Sequence, residues 1–103
     1  MQFRITADRV ELADPEDVRS FSAACPPGLT HDELVDSVRR AGLGELLPGD
    51  THLMVPVEAI RRLAAGRVGP GWPDELAKMV DYAAGKGWTD QDGTRVRAHI
   101  ERT

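Results

Sequence analysis

A single cysteine, Cys25, is present among the 103 residues. One cysteine cannot form an internal disulfide, which excludes the disulfide frameworks of small secreted proteins. No run of apolar residues follows the N-terminal residues, as a signal peptide requires, and none approaches the length of a membrane span. These absences predict a cytoplasmic protein that does not enter a membrane.

Lysine is almost absent, since only Lys78 and Lys86 occur, and the formal net charge is −4. Sequence-independent binding to nucleic acid needs a basic surface that displaces counterions. The acidic balance argues against nucleic acid as a partner and leaves room only for a local basic patch.

The composition is that of a globular chain, with 41% hydrophobic and 29% charged residues. There are no internal repeats, no low-complexity tracts and no linker long enough to divide domains. We therefore predict one globular domain over residues 1–103.

Alternating apolar and polar residues indicate strands. Phe3 and Ile5 alternate with Arg4, so residues 2–12 are expected to form a hairpin or one bent strand. A short apolar run at residues 52–55 predicts another strand. Near the C-terminus the apolar residues Val96, Ala98 and Ile100 alternate with a polar set: Arg95, Arg97, His99 and Glu101.

Four segments carry signals for helix starts. Asp14 before Pro15 predicts a helix that continues to Cys25, and Thr30 before Glu33 has the spacing of a capping box. The other two helices are expected to start near residues 56 and 73. The prediction is an α+β fold with about four helices on one face of a small, mainly antiparallel sheet, in the order β(β)-α-α-β-α-α-β.

The apolar stripes of these elements predict one shared core. Its members are expected to be Phe3, Ile5, Val18, Phe21, Leu34, Val38, Ile60, Leu63, Leu76, Met79, Val80, Val96 and Ile100.

No catalytic or metal-binding motif stands out, and no cofactor is predicted. The three histidines lack the spacing by which zinc sites are usually recognised, although His52, His99 and Asp50 could converge from separate segments. Cys25 lies at the end of an apolar stripe and is expected to be a buried hydrophobic residue rather than a nucleophile. These observations favour a protein that is not an enzyme.

Two tryptophans, Trp72 and Trp88, flank the fourth predicted helix. They are candidates for binding a ligand or a partner, although tryptophans in such places more often close the ends of a small core.

The polar face of the last strand is the other candidate binding site. Arg95, Arg97, His99 and Glu101 should all point one way, because side chains alternate along a strand. Such a row is either an ordinary solvated face or a site for a carboxylate, a phosphate or an acidic partner.

The C-terminal third also carries two resemblances. The run from Ala83 to Glu101 is similar to the ends of small uncharacterised proteins of high-GC actinobacteria, which implies no activity. The same stretch resembles a winged helix, in which a helix precedes a two-stranded wing. The helix expected to read DNA would begin with Asp74 and Glu75, where such helices usually carry basic or amide side chains.

Three functions remain open at this point. The first is a non-catalytic accessory or interaction module whose partner is another protein. The second is a winged-helix-like transcriptional regulator. The third is a small-ligand, anion-binding protein or an enzyme that uses the polar face of the last strand.

Overall fold

Six strands form a single mixed sheet in the computed structural model, which describes residues 1–103. The strands follow the spatial order β2-β1-β3-β6-β5-β4. Their bounds are β1 Gln2–Ile5, β2 Val10–Ala13, β3 Ser22–Cys25, β4 Glu45–Leu46, β5 His52–Pro56 and β6 Arg95–Arg102. Three helices complete the fold: α1 His31–Arg40, α2 Val57–Ala64 and α3 Trp72–Gly85.

Strand β6 lies at the centre of this sheet. It pairs in parallel with β3 and antiparallel with β5, and β3 in turn pairs in parallel with β1. The outer pairs, β1 with β2 and β4 with β5, are antiparallel. The longest strand of the protein therefore joins the two halves of the sheet.

The protein is an α+β fold, but the predicted architecture is wrong in three respects. The structure has three helices rather than about four, the sheet has six strands in a mixed arrangement, and the order of elements is β-β-β-α-β-β-α-α-β. The two-residue strand β4 was not foreseen at all, because it is too short to show a period.

The missing helix is the one expected between Asp14 and Cys25. Asp14 adopts a left-handed conformation with φ +51°, and its carbonyl accepts a bond from the Asp17 N–H, so these residues form a turn. The segment Ser22–Cys25 then enters the sheet between β1 and β6. Pairing on both sides satisfies its backbone polar groups, which outweighs the weak strand preference of its two alanines.

The remaining helices begin close to the predicted positions. Thr30 accepts a bond from the backbone of Glu33, whose side chain bonds back to the Thr30 N–H, which completes the expected capping box of α1. Pro56 ends β5 and directly precedes α2, while Pro73 lies in the first turn of α3. The described helices include none that is both long and apolar enough to cross a membrane.

All three helices contribute to one core on one face of the sheet. Buried and unburied residues alternate along β6, where Val96, Ala98 and Ile100 are buried between exposed neighbours. The predicted core is confirmed: its members are either buried or partly buried against the buried cluster, and none is exposed. The opposite face of the sheet carries no helix, and it is the face that presents the polar row of β6.

Candidate interaction surface

The uncovered side of the sheet, called the open face below, carries the outward-facing side chains of four strands, β1, β3, β5 and β6. It is defined by Gln2, Arg4, Ser22, Ala24, His52, Met54, Arg95, Arg97, His99 and Glu101, which alternate with buried residues along their strands. The structure thus places all four polar residues of the predicted row on one face. Each of them is exposed or half-buried.

Arg95 is already occupied by neighbouring carboxylates. Its guanidinium bonds to Asp90 at 3.0 Å and lies 3.4 Å from Glu45. The hydrogen bond to Asp90 raises the pKa of Arg95. Desolvation acts to raise the pKa of Asp90, but hydrogen bonds from Arg95 and Thr94 outweigh it and hold that pKa below its usual value. Arg95 therefore secures the turn before β6 rather than offering a free cation.

Arg97 differs from Arg95 because its exposed side chain forms no ion pair or hydrogen bond. It lies opposite Met54 of β5, which offers no charge. Its positive charge is therefore unneutralised on the open face.

His99 lies directly opposite His52 of β5. The Ile100 N–H donates to the Thr51 carbonyl at 2.8 Å, so the adjacent pair, His52 and His99, is a non-hydrogen-bonded pair, in which side chains approach most closely. The two imidazole centroids are 5.2 Å apart at an interplanar angle of 59°.

The environment of this histidine pair lowers the pKa of His52. Desolvation is the largest cause, followed by the positive charge of Arg97 and by His99. The nearby positive charge of Arg97 therefore disfavours protonation of His52.

The two tryptophans lie in different environments. Trp72 is buried, and its indole N–H donates to the Pro15 carbonyl at 2.7 Å, so it belongs to the core. Trp88 is exposed at the end of α3. The structure therefore does not bring Trp72 and Trp88 into one binding surface.

Trp88 instead pairs with Tyr82 of α3. Their ring centroids are 6.1 Å apart in an edge-to-face arrangement, and the Lys86 ammonium lies 5.6 Å from the Tyr82 ring centre. The Arg97 N–H donates to the Trp88 carbonyl at 2.7 Å. This hydrogen bond connects Trp88 to β6 at Arg97. The pair of exposed aromatic residues is called the Tyr82–Trp88 surface below.

The metal site considered for His52, His99 and Asp50 is only partly assembled. His52 and His99 meet, but Asp50 bonds to His31 at 2.7 Å. No three His, Cys, Asp or Glu residues are arranged to hold a metal ion. Cys25 is buried in the core, as expected.

The sequence suggested His52 only as a possible metal ligand and did not single out Tyr82 as a site residue. His52 could have been found from the alternation of residues 52–55, which separates it from Leu53 and Val55, but its pairing with His99 is a long-range contact. Tyr82 lies off the buried stripe of α3, and nothing local marks it as a neighbour of Trp88.

The sequence matches no protein-family model, and comparison with the curated proteins and the solved structures gives no significant match. The likeness to actinobacterial proteins therefore stays an expectation, and the function must be argued from the surface alone.

Proposed function

We propose that the protein is a non-catalytic interaction module that binds another protein through the Tyr82–Trp88 surface. The observation that supports this most directly is exposure: Tyr82 is 62% exposed and Trp88 39%, and these are the two large hydrophobic residues that the fold leaves exposed. Aromatic residues and arginine contribute much of the binding energy at protein interfaces. Leaving two aromatics in water has no benefit for folding.

The charges beside the aromatic pair favour a partner of a particular kind. The Lys86 ammonium lies over the Tyr82 ring. The backbone N–H of Arg97 donates to the Trp88 carbonyl, and the Arg97 side chain has no carboxylate partner. A partner segment with an apolar side chain between acidic residues would fill the aromatic surface and neutralise these cations.

Replacing both aromatics should abolish partner binding. Tyr82→Ala with Trp88→Ala removes the exposed rings, and we expect the affinity for the partner to fall by at least about thirtyfold, as for interface hot spots. Partners would be identified by quantitative mass spectrometry of co-purified proteins, and the dissociation constant would then be measured with the purified pair.

The matched control is Asp74→Ala with Lys78→Ala, which changes two exposed residues of the same helix. This variant should keep the affinity within about threefold, as expected for residues outside a hot spot. Equal binding by the wild type and the Tyr82/Trp88 variant, both folded by circular dichroism, would overturn the proposal. Should that variant unfold, Trp88→Arg and Tyr82→Arg, tested singly, provide the same comparison.

A winged-helix-like regulator remains an alternative, and the electrostatics of α3 argue against it. Asp74 and Glu75 are exposed in its first turn, and the strand that follows α3 lies inside the sheet. We expect no duplex-DNA binding tighter than about 1 μM at physiological salt, because those acids would face phosphates. Fluorescence anisotropy with labelled duplexes would check this, and submicromolar affinity would refute it.

A further inference from the structure

A row of polar side chains crosses the centre of the open face on four adjacent strands. Gln2 of β1 lies opposite Ser22 of β3, Ser22 opposite His99 of β6, and His99 opposite His52 of β5. Neighbouring strands are about 4.8 Å apart, so Ser22, His99 and His52 lie within reach of one small ligand. Each of these three can donate a hydrogen bond.

The charge around this row is positive at its β5–β6 end. Arg97 is the next residue of β6 on the same face and has no carboxylate partner, whereas Glu45 and Asp90 are occupied by Arg95. From the other packed strands, β3 contributes no charge and β1 contributes Arg4. Two further acids lie on this side of the sheet. Glu101 lies beyond His99 on the side away from Arg97, and Glu11 of β2, opposite Arg4, is paired with Arg9 at 2.9 Å.

The histidine rings are oriented by contacts that leave donors for a ligand. The Nδ1 atom of His52 lies 3.0 Å from the Thr51 hydroxyl, which can accept from a protonated ring or donate to a neutral one. This contact occupies Nδ1 in both protonation states and leaves Nε2 as the other donor. His99 forms no side-chain hydrogen bond, and its ring centroid lies 5.2 Å from that of His52.

We propose that His52, His99 and Arg97 form a binding site for a phosphoryl-type oxyanion. A tetrahedral oxyanion has several acceptor oxygens, so it can accept bonds from three donors on two strands at once, whereas a carboxylate offers two oxygens. The Ser22 hydroxyl, on the other side of His99, supplies a fourth donor. The site does not include Tyr82 or Trp88, so it goes beyond the proposed binding of a partner protein.

Binding of this oxyanion strengthens as the pH falls. An anion stabilises the charged form of an imidazole, so its binding raises the pKa of His52 and the protein takes up protons. The same site also explains why the pKa of His52 is lowered without a ligand: besides desolvation, Arg97 and His99 oppose its protonation. An anion between these groups removes that opposition.

The test is an NMR titration of the folded protein with sulfate and with inorganic phosphate. Sulfate keeps its charge between about pH 5.5 and 8, so any pH dependence of its binding belongs to the protein. We expect the imidazole resonances of His52 and His99 to shift together as sulfate is added. Sulfate should bind about tenfold more tightly at about pH 5.5 than at about pH 8, since one additional nearby positive charge changes the affinity by roughly this factor. Equal affinity at both pH values, or unchanged histidine resonances, would overturn the proposal.

Variants then assign the site to its residues and distinguish two sources of the anion. His52→Gln with His99→Gln should remove the pH dependence, and Arg97→Gln should weaken sulfate binding at least fivefold, about the effect of one nearby charge. Arg39→Gln, on the exposed side of α1, should bind as the wild type does, and unchanged binding by the first two variants would refute the assignment.

Comparing the affinities for inorganic phosphate and for a phosphoserine peptide distinguishes a free anion from a phosphorylated partner. If the protein binds neither, a phosphoryl ligand is excluded. Because these variants keep Tyr82 and Trp88, partner binding can be measured in them separately.

Discussion

Replacing Gly44 with alanine should destabilise the protein by about 3 kcal/mol or more, a loss that only strong mechanisms produce. Gly44 precedes β4 with φ +102°, a conformation that L side chains rarely adopt. A Cβ atom there would lie 1.9 Å from the Met54 carbonyl oxygen and 2.8 Å from the Pro56 Cδ. Strand β5 would have to move, and the pairing of β4 with it would be lost. Urea unfolding would measure the change.

Gly49→Ala is the matched control for this variant. Gly49 also has a positive φ, +88°, but a Cβ there would have no heavy atom within 4 Å. It should therefore cost only the conformational strain, about 1–2 kcal/mol. A comparable loss of stability in both variants would show that strain alone, and not the close approach to β5, makes Gly44 necessary.

Replacing Leu34 with alanine should cost about 2–5 kcal/mol of unfolding free energy. Leu34 is fully buried in the middle of α1, so truncation removes buried apolar surface and leaves a cavity in the core. The expected loss is a large part of the total stability of a small domain. The measurement is again urea unfolding, with the m-value checked for constancy.

Val35→Ala on the same helix is the control, because Val35 is only half-buried. Removal of its methyl groups should cost about 1 kcal/mol. If Leu34→Ala were no more destabilising than Val35→Ala, the burial of Leu34 in the core would be contradicted.

Local patterns predicted the elements whose structure depends on local chemistry. The Thr30–Glu33 capping box and the alternation along residues 95–101 each have a single structural interpretation, and both agree with the structure. By contrast, Val18, Phe21 and Cys25 fit helical spacing, although Phe21, Ala23 and Cys25 fit a strand equally well. Pairing with β1 and β6 decides between them, and such distant contacts leave no local trace.

The candidate sites also combine features that the local sequence predicts with features that depend on long-range contacts. The common direction of Arg97 and His99 follows from the period of two along a strand. The proximity of His52 to His99 depends on which strand neighbours β6, and the neutralisation of Arg95 depends on Glu45 and the Asp90 turn. The separation of Trp72 from Trp88 likewise depends on the Pro15 carbonyl, which a distant loop brings to the indole.

The central position of β6 has a consequence for the folding reaction. Its two neighbours, β3 and β5, precede it in the chain and do not pair with each other. Until β6 docks, the β1–β3 and β4–β5 groups each present an unpaired inner edge. Closing such long-range pairs makes folding slow, and open edges invite pairing with other chains. Refolding yield should therefore fall as protein concentration rises, because intermolecular pairing at those edges competes with insertion of β6.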